Sequence, residues 1–476
     1  MLVHRSNRAE TLVHRLAAVC SEPLRNPLAR EVVAVQSLGM ERWLAQQLAL
    51  QLGVWAHGHH PFPRRLIDDL LTAVLDDAPA AVGSPFAPEA LRWAVASELP
   101  RCAHEPGFEV VARYLSDDRL GLKLHQLARQ LAWLFDQYVV YRPDVVLAWE
   151  DGADPDDWQA TLWRALVQRL GGLHLARRAH AFQAAWPRAE LDQLPERICV
   201  FGVSTLPPLF LQLLTVVGEC LPVHLFLLTP TPHYTGDLMP RRALRKRRRD
   251  ARRAGRQAAG GDEGNPLLAS LGRLGRELQQ VLIDLEAVAS DGFVPPPVEA
   301  SCSTLELLQH DIYKVISRRP ESGERQLSFV VSSGERPSPR PLPDTRSLRL
   351  HRCHSPMREV EVLHDQLLAM LEADPELSPK DIVVMMPDVD SYSPYVQAVF
   401  GAASGNRYIP YAISDRSAQQ ESPILVSFLR LLQLPQSRCS ASELLELLEV
   451  PAILARFDLN NSDLERLRQW IEETGI

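Results

Sequence analysis

Lysine is almost missing from this 476-residue chain. Of its 51 basic residues only Lys123, Lys246, Lys314 and Lys380 are lysine. That scarcity excludes much chemistry. A phosphate-binding P-loop needs a lysine directly after glycine, to reach the β- and γ-phosphates, and a Ser or Thr directly after the lysine, to ligate magnesium. None of the four follows a glycine, and none precedes Ser or Thr. The turn where a nucleotide-binding sheet would carry such a loop reads HRSNRAETL from residue 4 and holds no glycine. A restriction-type nuclease centre places Glu or Asp two residues before a lysine, so that with a second carboxylate it holds magnesium and polarises a water. Here those positions are Gly121, Leu244, Ile312 and Ser378. HExxH and GxSxG arrangements are missing too. The sequence therefore predicts neither an ATP motor nor a nuclease centre in this chain. His59-His60 suits a loop better than a shared ligand face, and Ser204 reads as a helix cap rather than a nucleophile.

Other shortages bound the setting. Seven cysteines, at 20, 102, 199, 220, 302, 353 and 439, are scattered without a CxxC pair. An odd, unpatterned set offers no zinc or iron–sulfur framework and fits reduced thiols in the cytoplasm. Arg5, Arg8, Glu10 and Arg15 interrupt any apolar run after Met1, so no secretory signal is expected. The most apolar stretch, 206–229, contains Pro207, Pro208, Glu219, Pro222 and His224. It reads as helix followed by strand rather than a membrane span.

What is present is the material of large packed cores: 46% hydrophobic residues against 23% charged. The length allows roughly three domains. The net charge of −8 does not by itself suggest a nucleic-acid partner, but the charge is unevenly placed. Residues 241–256, RRALRKRRRDARRAGR, hold ten basic residues in sixteen. Blocks of like charge usually form solvated surface loops, and on that reading deleting the run changes little. The competing reading is a tether that tracks phosphates without sequence preference and weakens with salt. Residues 318–346, rich in Pro, Ser, Gly and Arg, divide two patterned regions as a linker.

Both regions alternate strand and helix patterns. In the first, residues 1–3, 32–35, 198–203 and 223–228 read as strands. Asn7 is expected to cap the first helix with Glu10 as its reciprocal partner. Helices are expected after Gly39, carrying Trp43, Leu44, Leu48 and Leu52, and after Pro208. Residues 66–186 read as a mainly helical insertion. In the second region, Leu348, Leu350 and Arg352 alternate as a short strand. The following helix carries Val360, Val362, Leu363, Leu367, Leu368 and Leu371 as its apolar stripe. Residues 382–386 form a continuous apolar run of the kind buried on both faces of a parallel sheet. A helix around 395–400 and a strand at 408–413 follow. Strands alternating with helices imply an α/β fold, parallel sheets with helices on both faces.

One helix has a face suited to nucleic acid. Before Tyr141, Leu124, Leu127, Leu131, Leu134 and Tyr138 share a core-facing stripe. Away from it, Gln126, Gln130, Trp133 and Gln137 align at spacings of four, three and four. Glutamine can pair with base edges and tryptophan can stack on an unpaired base. The blander reading is an ordinary polar face with Trp133 packed on a neighbour. Arg142-Pro143 ends the helix with a guanidinium near the same surface.

Long, nearly gapless words run the length of the chain: HRSNRAETL, VQSLGMERWL, LFDQYVVYRPD, FGVSTLPP, GNPLLASLGRLGREL, HSPMREVEVLHDQLLAML, DSYSPYVQAVF, YIPYAISDR and RQWIEETGI. In this wording and order the chain resembles the RecC family, the gamma chain of exodeoxyribonuclease V (RecBCD). RecC chains are much longer, so the resemblance implies an N-terminal portion of one. It further implies an inactivated superfamily 1 helicase fold. Residues 1–317 would form a first helicase-like domain, with the helical insertion at about 66–186 and a basic loop at 241–263. Residues 318–346 would be the linker, and 347–476 the start of a second, incomplete helicase-like domain.

The functional expectations follow from that resemblance. RecC works with RecB and RecD, which hold the ATP and Mg²⁺, and no cofactor is expected in this chain. It splits duplex ends, channels the single strands and scans the 3′-ended strand for the Chi recombination hotspot, in cytoplasmic double-strand break repair with no membrane partner. Positions implicated in Chi recognition match Gln36, Leu134, Asp136, Gln137, Arg142 and Arg178 with the same residue types. Others depart: Leu38 stands for threonine, Arg42 for glutamine, Phe62 for leucine, Asp68 for tryptophan and Trp133 for aspartate. Arg42 and Trp133 join the site as further candidates, and the departures put the preferred octamer in question. An assembly module that holds partner chains without touching bases is the alternative.

Overall fold

Each strand of the first region is followed by a helix that returns the chain to the same edge of the next strand, so parallel pairing is built into the sequence order. The computed structural model describes residues 1–75, 84–188, 194–255, 261, 263–297, 303–318, 347–414 and 422–475. It divides into two units, 1–348 and 349–476.

The first unit begins β1 (Leu2–Ser6), α1 (Ala9–Cys20), β2 (Glu31–Ala34), α2 (Leu38–Leu52) and β3 (Gly58–His59). A run of helices follows: α3 (Pro63–Leu75), α4 (Pro88–Cys102), α5 (Glu109–Leu115), α6 (Leu122–Tyr141), α7 (Pro143–Glu150), α8 (Trp158–Leu170) and α9 (Leu175–Ala185). The chain then returns to the sheet with β4 (Ile198–Phe201), α10 (Pro208–Val217) and β5 (Val223–Leu228). It ends with α11 (Arg241–Arg253), α12 (Pro266–Leu271), α13 (Arg273–Asp284), β6 (Val288–Asp291) and α14 (Thr304–Tyr313). The six strands stand in the order β3-β2-β4-β5-β1-β6, and every pairing is parallel.

Strand periodicity sorts the core into two layers. Val33, Val35, Cys199, Phe201 and Phe226 point to one face, where Leu12, Val13 and Leu16 of α1 and Leu44 and Leu48 of α2 cover them. Val3, Ala34, Ile198, Val200 and Leu225 point to the other, under α10 and the helical run. Each fully buried Leu or Phe contributes about 1.5–3 kcal/mol. Double-faced burial explains why β2 and β4 read as unbroken apolar runs. The one charge at the start of β2, Glu31, is met by Arg197 in a fork of 2.5 and 2.7 Å. That guanidinium also donates to the carbonyls of Val19 and Glu22.

Several local expectations change. Asn7 does not cap α1. Its amide donates to the Val294 carbonyl and accepts from the Val294 N–H, at 2.8 and 2.9 Å, so its hydrogen bonds are already made across to the chain after β6. Arg8 stands at the cap position without a side-chain bond. Ser204 is not a cap either, since α10 starts after Pro207. His59 lies in the short strand β3, where its residue pairs with Val32. The basic run is not a loop over 241–253 but the helix α11, because Arg, Lys and Ala all have high helix propensity. β6 was not legible: its sequence, VASD, is short and polar.

The second unit holds α15 (Pro356–Ala373), α16 (Val389–Phe400), α17 (Pro423–Gln433), α18 (Ala441–Leu448), α19 (Pro451–Arg456) and α20 (Asn461–Thr474). Val360 and Leu367 pack with Phe400 and Ile409, and the His364 Nε2 bonds the Arg407 carbonyl at 3.0 Å. Among the described residues of this unit there is no strand. The expected strands at 348–352, 382–386 and 408–413 have no ladder partner, and Leu350, Val383 and Met385 are 94%, 80% and 90% exposed. A strand needs a neighbour to satisfy its backbone groups, and apolar composition alone does not supply one. The linker expectation for 319–346 falls outside the described residues.

Candidate nucleic-acid interface

Most of the sequence-expected site falls on α6. Ala128, Leu131, Ala132, Phe135 and Val139 are buried at helical spacing, while Leu134 is half-buried against the same core. The opposite side carries Gln126, Gln130 and Trp133 exposed and Gln137 half-exposed. Trp133 is 60% exposed, so the indole is not packed away on a neighbour. Arg142, at the junction of α6 and α7, is exposed.

Asp136 and Arg178 meet elsewhere on the same helical run. Both line a cavity of about 460 Å³, together with Phe62, Arg64, Asp68 and Phe86. The Asp136 carboxylate, though buried, accepts from Arg64 at 2.8 Å. Arg178, on α9, is 3% exposed and reaches Asp68 at 3.2 Å and the Thr72 hydroxyl at 3.1 Å, both on α3. Burial pushes the Asp68 carboxyl up from its ordinary value, against the pull of Arg178 and Arg64. The cavity thus presents carboxylates and guanidiniums side by side, donors beside acceptors, with aromatic rings at its wall.

Gln36, exposed at the end of β2, lies outside the cavity lining and accepts from the Ser204 N–H at 3.5 Å. The preceding Val35 N–H donates to Pro61, next to Phe62, at 3.1 Å, which ties the end of β2 to the segment entering the cavity wall. Arg42 and Leu38, on α2, are exposed and do not line the cavity. Two departing positions, Phe62 and Asp68, do line it.

Arg64 and Arg65 were missed by sequence reasoning. Both sit in the first turn of α3, where the helix dipole disfavours cations. Each is offset by a carboxylate at 2.8 Å, Asp136 for Arg64 and Asp69 for Arg65. The signal was available in the RRLIDD spacing, which sets acids four residues after the arginines.

The turn after β1 has its own occupants. The Ser6 hydroxyl donates to the Gly292 carbonyl and accepts from the Arg8 N–H, and Asn7 is bonded to Val294. A larger cleft of about 600 Å³ opens beside β1 and α13, lined largely by apolar side chains such as Val3, Leu227 and Leu282. Among the described residues no three His, Cys, Asp or Glu side chains gather to hold a metal ion. No described helix is long and apolar enough to cross a membrane.

Comparison with known proteins places this architecture. Residues 1–315 match the family model described as "RecC, N-terminal domain", and residues 421–476 match "RecBCD enzyme subunit RecC fourth domain". The chain is 39% identical over its whole length to the RecBCD enzyme subunit RecC of Escherichia coli, covering 44% of that protein. It is 32% identical, again over its whole length, to the subunits of that name from Haemophilus influenzae and Mycolicibacterium smegmatis, covering 46% and 42% of them. The chain thus spans less than half the length of these relatives. A parallel six-stranded sheet with a helical insertion, matched from the first residue to the last of the described unit's sheet, leaves one assignment: the chain belongs to the RecC family.

Proposed function

We propose that this chain is a non-catalytic, DNA-guiding portion of a RecBCD-type helicase–nuclease. On this reading it works with RecB- and RecD-type subunits in the cytoplasm, and those partners supply the ATP- and Mg²⁺-dependent steps. The first unit is an inactivated superfamily 1 helicase domain whose turn after β1 lacks glycine and lysine and is fastened by Asn7. The chain helps split duplex ends and reads the 3′-ended strand for Chi. The observation that carries the reading is the α6 surface: an exposed indole between exposed glutamines, on a helix whose buried Asp136 lines a cavity together with the buried Arg178. Single-stranded bases leave their edges free for such groups, and a stacked Trp133 adds about 1–3 kcal/mol per base.

In a complex reconstituted with its partner subunits, Gln137→Ala or Arg142→Ala should weaken the hotspot response roughly tenfold, the loss of one base-edge contact, while unwinding continues. A hotspot response equal to the parent's in both variants would overturn the site assignment. The ion pairs Asp136–Arg64 and Arg178–Asp68 favour a second reading, in which these two residues brace the insertion. If Arg178→Ala abolishes co-purification with the partners, the assembly-module reading gains.

A further inference from the structure

The helix α11 carries nine basic residues among thirteen, in a chain whose net charge is −8. At 3.6 residues per turn, all of them except Arg247 fall on an arc of roughly 160°. The remaining side carries Ala243, Leu244 and Ala251, which are half-buried, whereas every basic side chain is exposed. The helix is therefore seated on its apolar strip and turns its cationic arc outward. Leu244 packs beside Gly261, where an added side chain would come within 3.1 Å of it. Arg247, off the arc, is turned toward the Met239 sulfur at 3.4 Å. Among the described residues the only ion pair of this helix is Arg249 with its neighbour Asp250, at 3.7 Å.

Such an arc is unfavourable by itself. Like charges three and four residues apart cost about 0.2–0.5 kcal/mol per pair, and Arg241 and Arg242 oppose the helix dipole. An ordered polyanion relieves both. Thirteen residues span about 20 Å, over which a DNA duplex presents about a dozen phosphates. Arginine, eight of the nine, matches phosphate with its planar fork of donors. A bilayer is a poorer match, because the apolar strip already lies against the chain's own residues and no apolar face is left to enter lipid. We propose that α11 is a sequence-blind docking element for the phosphate backbone of duplex DNA. It is separate from the α6 surface and does not depend on base reading there.

The test is binding of the full chain to two fluorescein-labelled duplexes of unrelated sequence, followed by anisotropy across KCl concentrations. The quadruple variant Arg241→Gln, Arg245→Gln, Arg248→Gln, Arg252→Gln clears one side of the arc. It should flatten the log–log salt slope by roughly 3–4 and lower affinity for both duplexes equally, by about tenfold or more at low salt. Arg247→Gln should change neither. Circular dichroism checks that the variant remains folded; if it does not, the double variant Arg245→Gln, Arg252→Gln serves, with a slope change of roughly 2. The proposal is overturned if the parent chain binds neither duplex, or if slope and affinity survive the substitutions. It is equally overturned if poly-glutamate or phosphatidylserine vesicles displace DNA at equal charge, since α11 would then serve an acidic protein or a lipid surface.

Discussion

The first unit contains ICVF at 198–201, the second IVVMM at 382–386. By composition they are the same kind of segment. In the first unit that segment is β4, hydrogen-bonded to β2 on one side and β5 on the other, with all four side chains buried. In the second it has no ladder partner, and Val383 and Met385 face solvent. Strand formation is a property of the neighbours. An apolar run declares that it can be buried on two faces; whether it is depends on what stands beside it.

Amide hydrogen exchange gives the largest test of that contrast. Amides of β2 and β4 should open only with global unfolding of their unit, whereas those of residues 382–386 should exchange near the free-chain rate. Strong protection at 382–386 would erase the distinction between the units.

Next in size is Arg197→Ala. Glu31 would keep its buried place without its fork, a change that costs about 3–5 kcal/mol. Denaturant unfolding should show the first unit's transition moving while the second unit's stays. Co-movement of both transitions would show that the units do not unfold separately.

Acid should also act on the first unit. His4 lies stacked on Phe226 at 4.5 Å and 3.2 Å from His224. Burial, then His224 and Arg15, pull its pKa from 6.5 down to about 4. The unfolded chain therefore takes up this proton first. The stability that the neutral ring contributes is fully present above pH 6.5 and lost as pH falls toward about 4. Unfolding free energies from urea titrations at pH 7 and pH 5 should differ by about 2 kcal/mol on this account, and His4→Phe should flatten the difference.

The smallest effect belongs to the exposed run. Val383→Lys and Met385→Lys should each change stability by no more than about 0.5 kcal/mol, as surface substitutions do. A loss of several kcal/mol would mean that these side chains are buried after all.

Much of the first unit was legible. The strand at 223–228 agreed to the residue, and those at 32–35 and 198–203 agreed in place, because two-faced burial leaves an unmistakable apolar run. β3, two residues long, and β6, VASD, left none; they are held by ladder bonds and side chains rather than by apolar area. On α6 the exposed glutamines and indole followed from spacing. The placement of Asp136 and Arg178 in one cavity did not, since α6 and α9 lie far apart in sequence and come together only through packing. Nor did the helical state of 241–253, where like charge suggested a loop and local propensity decided otherwise.

The attachment of β6 has a consequence for solubility. Its residues are mostly exposed, and beyond its parallel ladder with β1 it is fastened by the Arg5–Asp291 fork, by Arg15 of α1 bonding the Ser290 and Asp291 carbonyls, and by Asn7 on Val294. Exposed ion pairs weaken with salt, as buried hydrocarbon does not. β6 is therefore a strand that high ionic strength would loosen. Its departure would bare the backbone of β1, a template onto which a second chain could add a strand. In this fold a handful of polar bonds at one edge guards against aggregation.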